Sequence, residues 1–219
     1  MRYLNQVFQD ANAVVHLAAI TDATSSFEKS DEVEHANFSA TESIAKACIT
    51  SNVPMIMASS TSVYGTQEKQ VDENCKTKDL KPQSPYAETK LKEEALISEM
   101  SQNQGLRAVI FRFGTIFGTS PGMRFHTAVN KFCLKTILGE EIPVWTNALH
   151  QYRPYCSLKD ATNAIIQIIN KNAFDNQIYN VLTKNYTVNQ ILKILKDNNF
   201  KFKIKKTNTP ILNQFFYGV

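Results

Sequence analysis

Residues 81–90 read KPQSPYAETK and contain a helix start followed by a tyrosine and a lysine. Ser84 is a good helix N-cap, and Pro85 suits the first helical position because its φ is pre-set and no donor is needed there. In a helix that begins here, Tyr86 and Lys90 lie four residues apart on one face. An ammonium beside a phenol favours the phenolate, so we expect the pKa of Tyr86 to be lowered from about 10. Such a phenol can exchange a proton with a substrate hydroxyl or carbonyl during hydride transfer.

The spacing alone is a weak signal, because Tyr155 and Lys159 repeat it. Context separates the two pairs. Ser60 ends an apolar strand upstream of Tyr86, and reactive groups in open α/β sheets gather at the carboxyl ends of strands. Tyr155 falls instead at a predicted strand end before a helix cap, so its phenol and the Lys159 ammonium need not share a face. We therefore expect Tyr86 to be functional and Tyr155 to be structural or substrate-lining.

The first half of the chain alternates strands and helices. Apolar runs at 14–19, 54–58 and 106–113 predict strands of the kind that both-face burial in a parallel sheet requires. A capping-box pattern at 39–42 and the Ser84-Pro85 signal predict the helices between them. This order predicts an α/β fold with a doubly wound parallel sheet.

Beyond Gly118 the pattern changes to a mixture of short helices and strands. Helices are predicted at 123–138, at 157–170 and from 187 onward, and strands at 142–145 and 178–182. We predict a partial dinucleotide-binding domain with the catalytic residues at 1–118. Residues 119–219 are predicted to form mainly a small α+β substrate-binding lobe, with some elements returning to the main sheet.

The lysines between 200 and 206 alternate with apolar residues up to 205. Alternation of this kind is typical of a half-exposed edge strand with its lysines in solvent. The same run is open to interpretation as a nucleic-acid patch, which the edge-strand pattern makes the weaker alternative.

Composition indicates an ordinary globular protein, with 43% hydrophobic residues and a net charge of +4. The basic residues are scattered among acidic ones, so charge does not argue for nucleic acid. No apolar run reaches the length of a membrane span, and no signal peptide is apparent. The four cysteines stand far apart without metal-ligand spacing. We therefore expect a cytoplasmic protein with reduced thiols, no metal site and no membrane partner.

Several motifs follow one another in order between residues 11 and 195. They are Val15-His16-Leu17-Ala18-Ala19, Asn37, the stretch MASSTSVYG at 57–65, KPQSPYAETK at 81–90, RFGTIFG at 112–118, Arg153 to Asp160, and Tyr179-Asn180-Val181. In this order they resemble the extended short-chain dehydrogenases/reductases of the NAD-dependent epimerase/dehydratase family, of the UDP-galactose 4-epimerase type.

The resemblance implies a catalytic site, a cofactor and a substrate class. Tyr86 would be the acid/base, Lys90 would hold the nicotinamide ribose, and Ser60 would hydrogen-bond the reacting oxygen. NAD or NADP would be bordered by His16, Ala18, Asn37, Ser59, Tyr86 and Lys90. A nucleotide sugar would be faced by Thr115, Arg153, Arg124 and Asn130, and the planar donor fork of Arg153 suits a diphosphate. The resemblance also implies a homodimer through helices at 38–51 and 86–101.

Simpler structural explanations stand beside several of these roles. His16 also fits a packed or backbone-bonded histidine, Asn37 a helix-start cap, and Arg153 an ion-pair partner of Asp160. Other residues open to a purely structural interpretation are Arg124, His126 and Asn130 as a solvated helix face, and Trp145 as core of the lobe.

The sequence departs from the family pattern in ways that narrow its function. Gly65 is the first glycine, so the chain lacks the glycine-rich turn that dinucleotide folds place before this point. We expect an incomplete Rossmann fold and a fragment that is inactive alone. Family dehydratases carry an Asp-Glu pair at Thr61-Ser62, so dehydration is disfavoured. The 4-epimerases carry an Asn at Thr115, which leaves uridine-diphosphate recognition open.

The leading hypothesis is an NAD(P)-dependent nucleotide-sugar epimerase or oxidoreductase that works by reversible hydride transfer at a secondary alcohol. The alternative is a non-catalytic remnant, or an atypical family member that serves as a protein- or RNA-binding module. The lysine-bearing run at 200–206 gives weak support to the binding module, and the missing glycine-rich turn is what makes a remnant an alternative.

Overall fold

The computed structural model describes residues 2–21, 27, 30–65, 67 and 70–207. Helices and strands alternate along this part of the chain. Their bounds are α1 Arg2–Phe8, β1 Val14–His16, α2 Ser30–Ser51, β2 Met55–Ser60, α3 Pro85–Asn103, β3 Ala108–Phe113, β4 Thr115–Phe117, α4 Ala128–Ile137, β5 Ile142–Trp145, β6 Arg153–Ser157, α5 Leu158–Lys171, β7 Ile178–Val181, β8 Lys184–Tyr186, α6 Val188–Asp197 and β9 Ile204–Thr207.

The main sheet has four parallel strands in the order β1-β2-β3-β7. β2 lies in the middle, with Val15 and Val109 as the register partners of its Ile56. The β2 residues Met55, Ile56 and Met57 are completely buried, as the apolar run predicts for a strand covered on both faces.

Helices cover both faces of this sheet. On one face, Met55 and Met57 pack with Cys48 of α2 and Ile97 of α3. On the other face, Ile56 packs in a second cluster with α5. Helices on both faces of a parallel sheet are the doubly wound architecture, and the predicted fold class is confirmed.

The second half of the chain builds a smaller lobe beside the sheet. It contains a three-stranded sheet in the order β4-β6-β8 and a parallel pair formed by β5 and β9. Its core joins Phe132 of α4, Ile142 of β5 and Ile191 of α6. Strand β7 leaves this lobe and extends the main sheet beside β3. The domain boundary at residue 118 stays a prediction.

Two helix starts agree with the capping residues found in the sequence. The Ser84 hydroxyl accepts a hydrogen bond of 3.2 Å from the Ala87 amide at the start of α3. The Ser157 hydroxyl accepts one of 3.1 Å from the Asp160 amide at the start of α5. Each hydroxyl satisfies a backbone donor that the first helical turn leaves open.

The predicted start of the helix after β1 is wrong. α2 begins at Ser30 rather than at Ser39. Thr41, which the sequence suggests as part of a capping box, lies inside the helix and bonds His16 through its hydroxyl. Asn37 therefore lies well within the helix and is not a helix-start cap.

Two other elements begin later than their patterns predict. α4 starts at Ala128 rather than at Met123, because the side-chain amide of Asn130 bonds the Arg124 carbonyl and holds that residue in a loop. β9 starts at Ile204 rather than at Phe200, and Phe200 is 46% exposed instead of facing a core.

The described helices include none long and apolar enough to cross a membrane. All four cysteines are unpaired; Cys48 and Cys156 are buried and the other two are half-buried. Within the ranges described above, no cluster of three or more His, Cys, Asp or Glu side chains is suited to hold a metal ion.

Candidate active site

A cavity of about 890 Å³ opens at the carboxyl ends of β2 and β3 and extends to the lobe. Parallel strands end at one edge of a sheet, so side chains that follow different strands meet there. The cavity wall includes Ser60, Tyr86 and Lys90 from the sheet side. Val144 and Arg153 line it from the lobe.

The first two turns of α3 place Tyr86 and Lys90, and the end of β2 places Ser60. The Ser60 side chain lies close enough to Tyr86 to lower the pKa of the phenol. The Ser60 hydroxyl also accepts a bond of 3.1 Å from the Ser62 amide, which fixes its position. The Lys90 ammonium lies 5.9 Å from the centre of the Tyr86 ring. A phenol, a hydroxyl and an ammonium thus line the same cavity.

The expected lowering of the Tyr86 pKa is wrong for this structure. Burial raises the pKa of Tyr86 well above its ordinary value, and the charge of Glu93 raises it further. Arg124 and the Ser60 hydrogen bond act in the opposite direction with smaller effect. The Lys90 ammonium is bonded to the Glu93 carboxylate at 2.8 Å.

Two consecutive glutamates of α3 bond basic side chains behind the cavity wall, and sequence reasoning missed both. Glu93 is fully buried and binds Lys90. Glu94 is buried and binds the Arg112 guanidinium of β3 through both oxygens, at 2.9 and 2.6 Å. Their spacing was a usable signal, because residues three and four positions after Lys90 lie on its face of the helix.

Ser59 contacts this buried ion pair rather than standing free beside the cavity. Its hydroxyl donates to Glu94 Oε1 at 2.5 Å, while the residue also lines the cavity wall. The Arg112 guanidinium in turn lies 4.8 Å from the ring centre of Tyr64, and the Tyr64 hydroxyl donates to Asn180 at 2.9 Å. The motifs around residues 60, 112 and 180 are therefore joined by one buried polar network.

The residues expected beside the cofactor do not all line the cavity. His16 is buried, its Nε2 lies 3.0 Å from the Thr41 hydroxyl, and it is not part of the cavity wall. Burial and the Lys90 charge lower the pKa of His16 to about 4. The Asn37 side-chain amide bonds both the N–H and the carbonyl of Ile20, so it shapes the loop after β1. Ala18 is exposed in that loop.

The four residues expected on the substrate side all line the cavity; they are Thr115, Arg124, Asn130 and Arg153. The Asn130 side chain accepts from the Gly118 amide at 3.2 Å and donates to the Arg124 carbonyl at 2.9 Å. Asn130 thus orders the loop that presents Arg124. The Asp160 carboxylate accepts hydrogen bonds from the hydroxyls of Ser157 and Thr183.

Three further residues on the cavity wall bear on the structural explanations that the sequence left open. Trp145 is 44% exposed and lines the cavity, so its expected place in the lobe core is wrong. His126 also lines the wall, from the loop before α4. Tyr155 lies on β6 and Lys159 on α5, so the second pair with this spacing does not share a helix face.

The described residues fit one end of a dinucleotide. Tyr86 and Lys90, with Leu17 and Ala19 from the loop after β1, line a space suited to a nicotinamide and its ribose. Gly65 does not serve as a phosphate-binding glycine, because a Cβ there would lie 1.5 Å from the Lys81 carbonyl oxygen. Its positive φ of 60° instead lets the chain pass close to Lys81. The described ranges contain no glycine-rich turn that would hold a pyrophosphate.

Comparison of this sequence with known proteins identifies a family and several relatives. The profile of the NAD dependent epimerase/dehydratase family matches residues 2–181. The Bacillus subtilis (strain 168) protein named uncharacterized UDP-glucose epimerase YtcB is 30% identical over 175 residues, which are 77% of this chain and 52% of that protein. A UDP-N-acetyl-alpha-D-glucosaminuronate decarboxylase of Bacillus cytotoxicus is 26% identical over 77% of this chain and 53% of its own length. The chain thus spans about half the length of these two relatives.

Solved structures share the fold. A UDP-N-acetylglucosamine 4-epimerase from Methanobrevibacter ruminantium M1, in complex with UDP-N-acetylmuramic acid, has a TM-score of 0.83 at 23% identity, covering 99% of this chain and 70% of its own. The UDP-glucuronic acid 4-epimerase from Bacillus cereus, in complex with UDP-glucuronic acid and NAD, has a TM-score of 0.83 at 22% identity, covering 98% and 69%. The family match extends over most of the chain and includes the elements that carry Ser60, Tyr86 and Lys90. The chain therefore belongs to the NAD-dependent epimerase/dehydratase family.

Proposed function

We propose that this chain carries the acid/base and substrate-binding part of a nucleotide-sugar epimerase or oxidoreductase. The observation that carries the proposal is that Tyr86, Ser60 and Lys90 line one cavity together with two arginines, Arg124 and Arg153. The family is NAD-dependent by its description. NAD, when bound, supplies the acceptor and donor of hydride for such chemistry.

Tyr86 exchanges the proton of the reacting sugar hydroxyl in this proposal. The alcohol loses its proton to the phenolate form of Tyr86 as hydride leaves the carbon, and the phenol returns a proton when a carbonyl is reduced. Ser60 lies beside the phenol and would hold the reacting oxygen there. Lys90 would lie against the nicotinamide ribose at the same wall.

The lobe side of the cavity supports a nucleotide diphosphate sugar as the substrate class. Arg124 and Arg153 place guanidinium groups along the wall, and guanidinium forks match phosphate oxygens with two donors. Relatives named above act on or bind UDP-sugars by their printed names. We propose a UDP-sugar or a closely similar nucleotide sugar for this chain.

Dehydration is the least supported of the family's reactions for this site. Elimination of water needs an additional acid, and Thr61 and Ser62 follow Ser60 where an acidic pair would be required. The Thr61 hydroxyl donates to the Phe113 carbonyl at 3.2 Å and so serves the fold. Reversible hydride transfer, as an epimerase or an oxidoreductase, remains the proposal.

The test is turnover of UDP-sugars by the Tyr86→Phe variant, measured on the longest in-frame product of the gene with added NAD. Loss of the phenolic hydroxyl should lower turnover by about 10² to 10⁴-fold, the usual contribution of a general acid/base. Circular dichroism should show an unchanged fold, because the aromatic ring keeps its packing.

The matched control is Tyr179→Phe, which removes a hydroxyl from an exposed tyrosine bonded to Asp175. It should leave turnover unchanged. Retained turnover in Tyr86→Phe would show that another group moves the proton, and the proposed function would then lose its central residue.

A further inference from the structure

One carboxylate of α3 bonds two neighbouring strands of the main sheet. Glu94 Oε1 accepts from the Ser59 hydroxyl at 2.5 Å and from Arg112 Nε at 2.9 Å, and Glu94 Oε2 accepts from the Arg112 guanidinium at 2.6 Å. Ser59 of β2 and Arg112 of β3 are register partners in the sheet. The Glu94 carboxylate therefore ties α3 to the same level of both strands.

The contact formed by Ser59, Glu94 and Arg112, here called the Glu94 joint, is shielded from water. All three residues are at most 4% exposed. The ring centre of Tyr64 lies 4.8 Å from the Arg112 guanidinium carbon. Hydrogen bonds to charged groups are short and directional, and they are stronger where water is excluded. The Glu94 joint therefore fixes the position of α3 on the strands more narrowly than apolar contacts do, because apolar burial has no preferred direction.

The Glu94 joint lies near the middle of α3, where the contribution of this helix to the main apolar cluster ends. The α3 side chains in that cluster all belong to the second half of the helix; they are Leu96, Ile97 and Met100. In the first half, Leu91 packs in a smaller, separate cluster with Val63 and Tyr64. Glu94 is therefore the polar contact that holds α3 to β2 and β3 between these two apolar regions.

The Glu94 joint also connects the two elements that carry the candidate catalytic groups. Tyr86, Lys90 and Glu94 follow one another at intervals of four residues, so they lie along one side of α3. At a rise of about 1.5 Å per residue, Glu94 lies about 12 Å from Tyr86 along the helix axis. Ser59 immediately precedes Ser60 at the end of β2. A bond between Ser59 and Glu94 therefore fixes the strand end that carries Ser60 against the helix that carries Tyr86 and Lys90.

We propose that Ser59 and Glu94 are positioning residues, which hold Ser60 of β2 in place relative to Tyr86 and Lys90 of α3 through the Glu94 joint. This inference rests on the proposed function, since the relative position of these groups matters for chemistry only if they act on one substrate. It assigns the Ser59 hydroxyl to the geometry of the site rather than to a contact with the cofactor. Ser59 and Glu94 exchange no proton with the substrate and act only through the residues that they hold.

Ser59→Ala tests the Glu94 joint with the smallest change. It removes one hydrogen bond and leaves Glu94 paired with Arg112, whereas a change at Glu94 would leave a buried guanidinium without its carboxylate. The full chain is labelled with ¹³C at Cζ of its tyrosines, and Tyr86→Phe assigns the Tyr86 signal among the eight tyrosines. In Ser59→Ala this signal should move from its wild-type position, because Ser60 is displaced from the phenol.

Two more variants separate positioning from a general loss of stability. Ser59→Cys fills the space of the hydroxyl with a weaker donor, and it should move the Tyr86 signal in the same direction if Ser59→Ala folds poorly. Ser101→Ala is the matched control on the second half of α3, where the hydroxyl has no hydrogen-bond partner among the described residues. It should leave the Tyr86 signal in place. Urea unfolding shows that each variant is folded.

Turnover of a UDP-sugar with NAD by the longest in-frame product of the gene gives the second readout. Ser59→Ala should lower kcat by about 10-fold and leave KM nearly unchanged, since misplacing a reacting group by about 1 Å can cost about 100-fold. A folded Ser59→Ala or Ser59→Cys protein whose Tyr86 signal matches wild type would overturn the proposal, and so would an unchanged kcat. If the wild-type protein shows no turnover, the proposed function fails, while the NMR comparison still decides this inference.

Discussion

At the scale of single residues, Glu93 and Glu94 show how one turn of a helix can place two identical side chains in different environments. Glu94 points at β3 and forms a two-oxygen bond with Arg112. Glu93 points at Lys90 and leaves one oxygen unpaired among the described residues. The helical spacing could have indicated that both lie near Lys90. Which one meets Arg112 depends on how α3 packs on β3, and that contact joins residues 18 positions apart.

His16 yields a prediction for the dependence of stability on pH. In the unfolded chain a histidine titrates near about 6.5, whereas burial and Lys90 lower the pKa of folded His16 to about 4. As the pH falls between these values the unfolded chain binds a proton that the folded protein does not, so the free energy of unfolding decreases. The loss should reach about 3 kcal/mol at the lower end of this range.

Urea unfolding at several pH values between 7 and about 4 measures this effect. The His16→Gln variant should lack this part of the pH dependence. His35→Gln, on an exposed position of α2, is the matched control and should keep the wild-type slope. Equal slopes for wild type and His16→Gln would show that His16 is protonated in the folded protein.

At the scale of elements, local capping signals predicted some helices and failed for another. Ser84 and Ser157 cap α3 and α5 as their sequences indicate. The pattern at 39–42 has the same residue types, yet it lies in the middle of α2. Thr41 is used there to bond His16 across to β1, a tertiary contact over 25 positions that no local pattern reveals. Ser39 lies nine positions after the start of α2, so no open first-turn amide remains there for its hydroxyl to cap.

The ion pair between Glu94 of α3 and Arg112 of β3 yields a second prediction. Glu94→Gln would leave the Arg112 guanidinium buried without its carboxylate, since both side chains are at most 5% exposed. Removing one partner of a buried pair costs about 3–5 kcal/mol, so the free energy of unfolding should fall by that order. Denaturant unfolding followed by circular dichroism measures it.

The exposed pair between Lys92 and Glu34 supplies the comparison on the same helix. Lys92 Nζ and Glu34 Oε1 lie 2.6 Å apart, but the two side chains are 51% and 48% exposed. Lys92→Ala should change the free energy of unfolding by less than about 1 kcal/mol. Similar losses for Glu94→Gln and Lys92→Ala would contradict the view that burial gives the Glu94–Arg112 pair its importance.

At the scale of the whole molecule, alternating strands and helices were enough to predict a doubly wound sheet. The strand order β1-β2-β3-β7 confirms it. The three-stranded sheet of the lobe was not apparent, because β4 and β8 have only three residues each and carry no clear alternation. The main sheet and the lobe meet at one cavity, where residues from positions 60, 86 and 153 come together.

We expect this shared cavity to take the sugar of a nucleotide sugar beside Tyr86. A titration with UDP-glucose tests this directly. The chain is labelled with ¹³C at Cζ of its tyrosines, the Tyr86→Phe variant assigns the Tyr86 signal, and that signal is followed by NMR. We predict a saturable shift of that signal, because the sugar hydroxyl would approach the phenol while the diphosphate contacts Arg153. Saturable binding of UDP-glucose by calorimetry, with the Tyr86 signal unmoved, would show that the sugar does not lie beside the phenol.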